Sequence, residues 1–195
     1  MNDMLAEKRV GFAMTGSFCT FSQVFPAAEA LAQAGAALFP IVSNNVWSLD
    51  TRFFTAADVR KRLAAIAGRE IWHTLPQVEP IGPKKLLDLL VVAPCTGSTL
   101  GKLAAGIFDT PVTMAVKSQL RNERPVLIAL STNDGLAMSA RSIGTLLTWR
   151  NVYFVPFRQD DPDNKPSSLV ADMAAIPRAA RDALSGRQTQ PVLTR

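Results

Sequence analysis

The segment at residues 86–93 constrains the fold more than any other: it is apolar throughout except at Asp88. A strand that reads this way has both faces covered, as in a parallel sheet sandwiched between helices. Similar stretches recur along the chain with helical patterns between them. Strands are predicted at Arg9–Met14, Ala37–Val42, 70–74, 86–93, 112–116, 125–130 and 152–155. Helices are predicted at 22–34, where Val24, Ala28, Leu31 and Ala32 share a face, and at 55–68, 98–106, 138–150 and 167–185. Thr55 and Asp58 form a capping box, Gly68 closes that helix, and Gly35 suits a C-cap. Residues 43–54, with Trp47 and Phe53, read as a polar loop. Residues 77–83, rich in Pro and Gly, read as a break, and 186–195 as a loose tail.

Strand and helix in alternation imply parallel crossovers with helices on both faces. The expected fold is α/β, a flavodoxin-like or Rossmann-like three-layer sandwich. Its parallel sheet has about six strands, with Arg9–Met14 and 89–93 central. A length of 195 residues suits one domain, spanning 1–195, with one core.

Composition narrows the function classes. No apolar run reaches the ~20 residues that cross a bilayer. The N-terminal segment is polar and lacks the apolar stretch of a secretory signal, so a cytoplasmic location is expected. Cys19 and Cys95 are far apart and suggest no disulfide framework, and His73 is the sole histidine, so no metal site is expected. The net charge is +5, but the basic residues are scattered and aromatics make up only 7%. Nucleic acid and membrane are set aside; an anionic small molecule fits a modest positive balance.

Ligands in such folds bind beyond the carboxyl ends of the strands. Three loops there are rich in chemistry. In Thr15-Gly16-Ser17, Gly16 allows close backbone approach, Ser17 offers a hydroxyl, and the next helix presents free N–H groups, a combination suited to phosphate. A plain tight turn explains the same residues, and the spacing from Gly11 to Gly16 is not that of a dinucleotide fingerprint. Pro94-Cys95-Thr96-Gly97-Ser98-Thr99 packs three hydroxyls and a glycine ahead of a helix, for a phosphate or polyol or simply for an N-cap. Cys95 reads as a small buried apolar residue rather than a nucleophile. Ser131-Thr132-Asn133-Asp134-Gly135 reads as a turn and cap, or as amide and carboxylate contacts to a polar ligand. Asp160, Asp161 and Asp163 read as a solvated acidic loop.

Residues 92–109, from Val92 to Asp109, resemble the signature of the flavoprotein family of homo-oligomeric, flavin-containing cysteine decarboxylases, A-P-x-S-A-N-T-x-A-K-x-A-x-G-x-x-D. Thr15-Gly16-Ser17 falls where that family contacts the FMN phosphate. The resemblance implies FMN as cofactor, a homo-oligomer, and cofactor contacts at Thr15, Gly16, Ser17, Ser43, Pro94, Thr96, Gly97, Ser98, Thr99 and Lys117. Three departures argue against cysteine decarboxylation. The family's catalytic histidine falls at Pro80 and its signature asparagine at Ser98. Its P-A-M-N motif becomes Leu130-Ser131-Thr132-Asn133.

Within that family the whole chain, from about Lys8 to Leu193, is similar to one subunit of a two-subunit oxidoreductase. The motifs that carry this are Gly11-Phe12-Ala13-Met14-Thr15-Gly16-Ser17, Glu79-Pro80-Ile81-Gly82-Pro83-Lys84, Ser131-Thr132-Asn133-Asp134 and Pro156-Phe157-Arg158-Gln159-Asp160-Asp161-Pro162. It implies a partner subunit that carries NADP or NAD and a small dicarboxylate as substrate. Asn133, Arg121 and Arg158 are the expected substrate or subunit contacts, because a guanidinium pairs with a carboxylate in two places. An inactive scaffold for the partner, and a decarboxylase or flavin prenyltransferase, stand as alternatives.

Overall fold

The structure, a computed structural model, describes residues 4–194; residues 1–3 of the polar N-terminal segment and residue 195 of the tail lie outside that range. Seven strands form the sheet: β1 (Arg9–Met14), β2 (Ala37–Val42), β3 (Leu89–Cys95), β4 (Val126–Thr132), β5 (Val152–Phe154), β6 (Phe157–Asp161) and β7 (Lys165–Ala171). Five run parallel in the order β2-β1-β3-β4-β5. Beyond the short β5, β7 pairs antiparallel with the end of β4, and β6 with β7. The helices are α1 (Phe21–Gln33), α2 (Asn44–Ser48), α3 (Ala56–Ala67), α4 (Leu75–Val78), α5 (Gly97–Ala104), α6 (Pro111–Leu120), α7 (Met138–Leu147) and α8 (Ile176–Leu184). Helices α1 and α8 pack on one face and α5, α6 and α7 on the other, giving the expected three layers.

All seven residues of β3 are buried, as its composition demands. Each buried Leu or Val stabilises the fold by about 1.5–3 kcal/mol relative to exposure. The one charge in the run, Asp88, stops just short of β3. It accepts hydrogen bonds from Arg9 N (2.9 Å), Arg9 Nε (3.1 Å), Arg9 Nη2 (2.9 Å) and Arg124 Nη1 (2.9 Å). Burial pushes its carboxyl up. The Arg9 guanidinium and backbone N–H, with Arg124, outweigh that and hold it at about 2. Gly35 and Gly68, just past α1 and α3, both take positive φ (87° and 63°), as the C-cap reading expects.

Several expectations are corrected. The predicted strand at 112–116 lies inside α6. Thr110 accepts from Thr113 N at 3.1 Å and Pro111 opens the first turn, so the cap decides an apolar run whose period is ambiguous. The polar loop at 43–54 holds α2, capped by Ser43, and the break at 77–83 begins in α4 and a 3-10 turn at Glu79–Ile81. Residues 70–74 make only an isolated bridge, Ile41 to Trp72. The predicted helix at 167–185 divides into β7 and α8, so 152–155 is not the last strand and Asp160 and Asp161 lie in a hairpin. The tail is tied down as far as it is described. The Gln188 amide accepts from Phe154 N (2.8 Å) and donates to Phe154 O (2.7 Å), and Thr194 N donates to Phe157 O at 3.0 Å. Edge strands leave backbone groups unpaired, and the tail satisfies them.

Candidate functional site

Strand order reverses between β1 and β3, so the crevice beyond their carboxyl ends is the switch point where ligands bind in this class of sheet. The loops after β1, β3 and β4 meet there. Thr15 Oγ1 donates to Pro94 O at 2.7 Å and accepts from Thr96 N at 3.0 Å. Thr15 is buried, and its hydroxyl is used in joining the two loops. Thr15 and Pro94, expected as cofactor contacts, brace the loops, and Thr15 also lines one of the two cavities described next. Ser17 Oγ and Ser131 Oγ share a hydrogen bond of 2.8 Å, which ties in the third loop.

Thr96 caps α5, accepting from Thr99 N at 3.3 Å. Next to it lies a second knot of hydrogen bonds. Asp134 accepts from the Thr132 hydroxyl and from Ser139 Oγ (2.8 Å). The Thr132 hydroxyl holds the Asp134 carboxyl below its ordinary value, against partial burial and with help from Ser139. This knot packs on the first turn of α5. A Cβ at Gly97 would stand 2.5 Å from Thr132 Oγ1, 2.6 Å from Ser139 Oγ and 2.8 Å from Asp134 Oδ1. Gly97 thus serves close packing of two loops, and a fixed carboxylate already faces that helix end.

Two cavities open on these loops. The first, about 480 Å³, is lined by Ser17, Phe18, Arg52, Phe53, Asn133 and Asp134, among others. The second, about 360 Å³, is lined by Ser43, Asn44, Asn45, Thr99, Lys102 and Thr110, among others, with no carboxylate among its described lining residues. Gly16, Thr96 and Ser98 belong to both. At Gly16 an added Cβ has Phe18 Cε2 at 3.3 Å and Asn45 Cβ at 3.8 Å, so any side chain there projects between the cavities. The second cavity offers hydroxyls, two amides and the N–H groups of the first turn of α2, donors that suit an anion. The first sets the rings of Phe18 and Phe53 among hydroxyls, an amide, a carboxylate and a guanidinium, which suits a ring with polar edges.

Gly16, Ser17, Ser43, Thr96, Gly97, Ser98, Thr99 and Asn133 are brought together here. Lys117 is not: it sits on α6 with its Nζ 5.3 Å from the Phe108 ring centroid, outside both cavities. Arg121 is the C-cap of α6, beside Asn122, which bonds Gly82 and Ser118 carbonyls at the opposite end of the sheet. The mistaken strand at 112–116 had put both on the ligand edge. Arg158 lies on β6, in a neighbouring cavity of about 230 Å³. Cys95 is fully buried and burial pushes its thiol up, which suits the inert reading. His73 stacks on Trp47 with centroids 3.5 Å apart. Sequence reasoning missed Asn44, Asn45, Phe18 and Lys102 as lining residues. Ser43 as an N-cap was the available signal for the first two. Lys102 pairs with Asp109 at 2.6 Å, so the lysine and aspartate of the signature hold each other.

These observations define an α/β protein with a ligand crevice at the switch point, and the chain belongs to the flavoprotein family, whose model matches residues 1–154. It is 43% identical over 189 residues to the B subunit of dipicolinate synthase from Bacillus subtilis (strain 168), covering 97% of this chain and 94% of that protein. The crystal structure of the corresponding B subunit from Bacillus halodurans C matches with a TM-score of 0.91 at 42% identity, over 100% of this chain and 99% of that one. The FMN-dependent cysteine decarboxylase SpaF shares the fold, with a TM-score of 0.67 at 18% identity over 93% and 99% of the two chains.

Proposed function

We propose that this chain is the flavin-binding subunit of a two-subunit dipicolinate synthase. One observation carries the cofactor reading: two cavities of different character meet at a glycine on the switch point. The carboxylate-free cavity fits a phosphate, held by Ser43, Thr99 and the first N–H groups of α2, with Ser17 and Gly16 at the partition. The other fits the flavin ring, against Phe18 and Phe53, with Asn133 and Arg52 as its polar contacts. FMN, when bound, supplies a two-electron acceptor. Its substrate is a dihydrodipicolinate-level dicarboxylate, which loses a hydride equivalent and a proton to become aromatic. The chain's own part is to bind, orient and exclude water. The identity to a B subunit supports a partner, the A subunit of dipicolinate synthase, which carries NADP or NAD. We place the pair in the cytoplasm of the mother cell of a spore-forming bacterium, with this chain as one domain and a homo-oligomer.

A second reading has a specific basis. Among the described residues no histidine lines either cavity, and Asp134, the one carboxylate, is held ionised by hydroxyls. A general base works best with a pKa near the operating pH, and Asp134 lacks one. This favours an inactive scaffold or regulator that supports its partner without moving the proton itself. A decarboxylase or prenyltransferase is less favoured, because Pro80 stands at the histidine position and lines neither cavity. Reconstitution with the partner, with and without FMN, tests these readings. Turnover to dipicolinate that needs both this chain and FMN supports the first. A colourless chain that still raises the partner's activity overturns it in favour of a flavin-free scaffold. Turnover of a cysteine substrate by this chain alone overturns both.

A further inference from the structure

The hairpin β6–β7 is fastened to the same loop that carries Asn133 and Asp134. Ser131 pairs with Val170, and Val170 with Arg158, so the three lie in one row across three strands. Opposite residues in antiparallel strands project from the same face. Ser131 points to Ser17 in the ring cavity. Arg158 therefore projects from that face two strands away, about 10 Å along the row. Ser168 Oγ to Thr132 O (3.3 Å) and Leu136 N to Ser167 O (3.0 Å) fix the hairpin against the loop.

Beneath Arg158 lies the cavity of about 230 Å³, lined also by Cys19, Thr20, Gln23 and Lys165. Cys19 lines the ring cavity as well, so the two spaces adjoin. Two carboxylates are also present. Asp160 pairs with Lys165 at 2.9 Å, and Asp172 accepts from Ala174 N at 3.1 Å. Arg158 has no ion pair among the described residues. It is an exposed planar cation with its fork unused, at the rim of a pocket beside the proposed ring site.

We infer that this annex is a carboxylate subsite, in which Arg158 takes one carboxylate of a small dicarboxylate whose ring stacks against the flavin at the adjoining cavity, with Gln23 as a further donor. The inference rests on the dicarboxylate substrate proposed above and names the residue that selects for it. A guanidinium binds a carboxylate through two parallel N–H bonds, so a ligand lacking that carboxylate forfeits both.

The test is calorimetry on the full chain supplied with FMN, titrated with dipicolinate and with picolinate, which lacks the second carboxylate. The parent is expected to bind dipicolinate at least tenfold tighter. In Arg158→Gln that preference collapses through loss of dipicolinate affinity, with picolinate affinity unchanged; Arg158→Lys recovers part of it. Circular dichroism and Tm establish that the variants fold. No preference in the parent, or a preference that survives Arg158→Gln, overturns the inference. So does a variant that keeps the preference but binds its partner more weakly, which makes Arg158 a docking residue. FMN absorbance in the same samples reports separately on the cofactor reading.

Discussion

The two ends of the sheet each hold a carboxylate below its ordinary value, but by different means. At the amino ends of the strands Asp88 lies between the guanidinium groups of Arg9 and Arg124. At the carboxyl ends Asp134 is held by the hydroxyls of Thr132 and Ser139. Asp88 is compensated by two cations and closes a gap between β1, β3 and the start of β4. Asp134 is matched by neutral donors, so its charge stays uncompensated at the wall of a cavity. One end is finished as a joint; the other is left open for a ligand. Changes at the joint should therefore move stability and spare binding, and changes at the crevice should do the reverse.

The largest effect is expected at Asp88. A carboxylate held at about 2 instead of 3.8 contributes about 2 kcal/mol of stability at neutral pH. Asp88→Asn should lose about that much in urea unfolding at pH 7, with FMN affinity unchanged. The sign follows from the lowered pKa: the contribution is complete above the unfolded-state value and disappears as pH falls through the folded one. The parent should thus lose stability between about pH 4 and pH 2 in excess of the loss in Asp88→Asn. Parallel curves for the two proteins would remove Asp88 from the joint.

Gly16→Val comes next. Its side chain projects between the two cavities, so FMN affinity in absorbance titration should fall at least tenfold, or about 1.4 kcal/mol. Tm should stay near the parent's, since the nearest atoms belong to the side chains of Phe18 and Asn45. Unchanged FMN affinity would move the site elsewhere. The hydroxyl pair Ser17–Ser131 tests whether the crevice loops act together. In absorbance titration each Ser→Ala change should cost about 1 kcal/mol of FMN affinity, and the double variant less than the sum, because the partners share one bond. Additive losses would mean that the loops are independent. The smallest effect is expected at Arg121. At the far end of α6, Arg121→Gln should leave FMN affinity and turnover as they were, within about 0.5 kcal/mol.

The central strands were legible because burial on both faces leaves an unbroken apolar run in the sequence, as in β3. The loops of the crevice were legible too, because hydroxyls and glycine concentrate where strands end. What misled was local ambiguity. Val112-Thr113-Met114-Ala115-Val116 suits a strand by composition, and Thr110 with Pro111 was the overlooked sign of a helix start. Likewise Asp172 and Pro177 marked a new helix after β7. The turn at Pro162-Asp163-Asn164, with Asp161 accepting from Asn164 N at 3.2 Å, marked the hairpin before it.

The sequence by itself determined which segments are buried, that strands and helices alternate, and which strand-end loops concentrate hydroxyls and glycine. Those properties are written in periodicity and residue type over a few neighbouring positions. Only the tertiary structure decided that Thr15 and Pro94 brace each other, that Asp134 sits on the first turn of α5, and that Arg158 shares a row with Ser131 while Arg121 lies at the other end of the molecule. Such relations join residues as much as 79 positions apart. They depend on strand order and register, which pairing across the sheet fixes and no local pattern encodes.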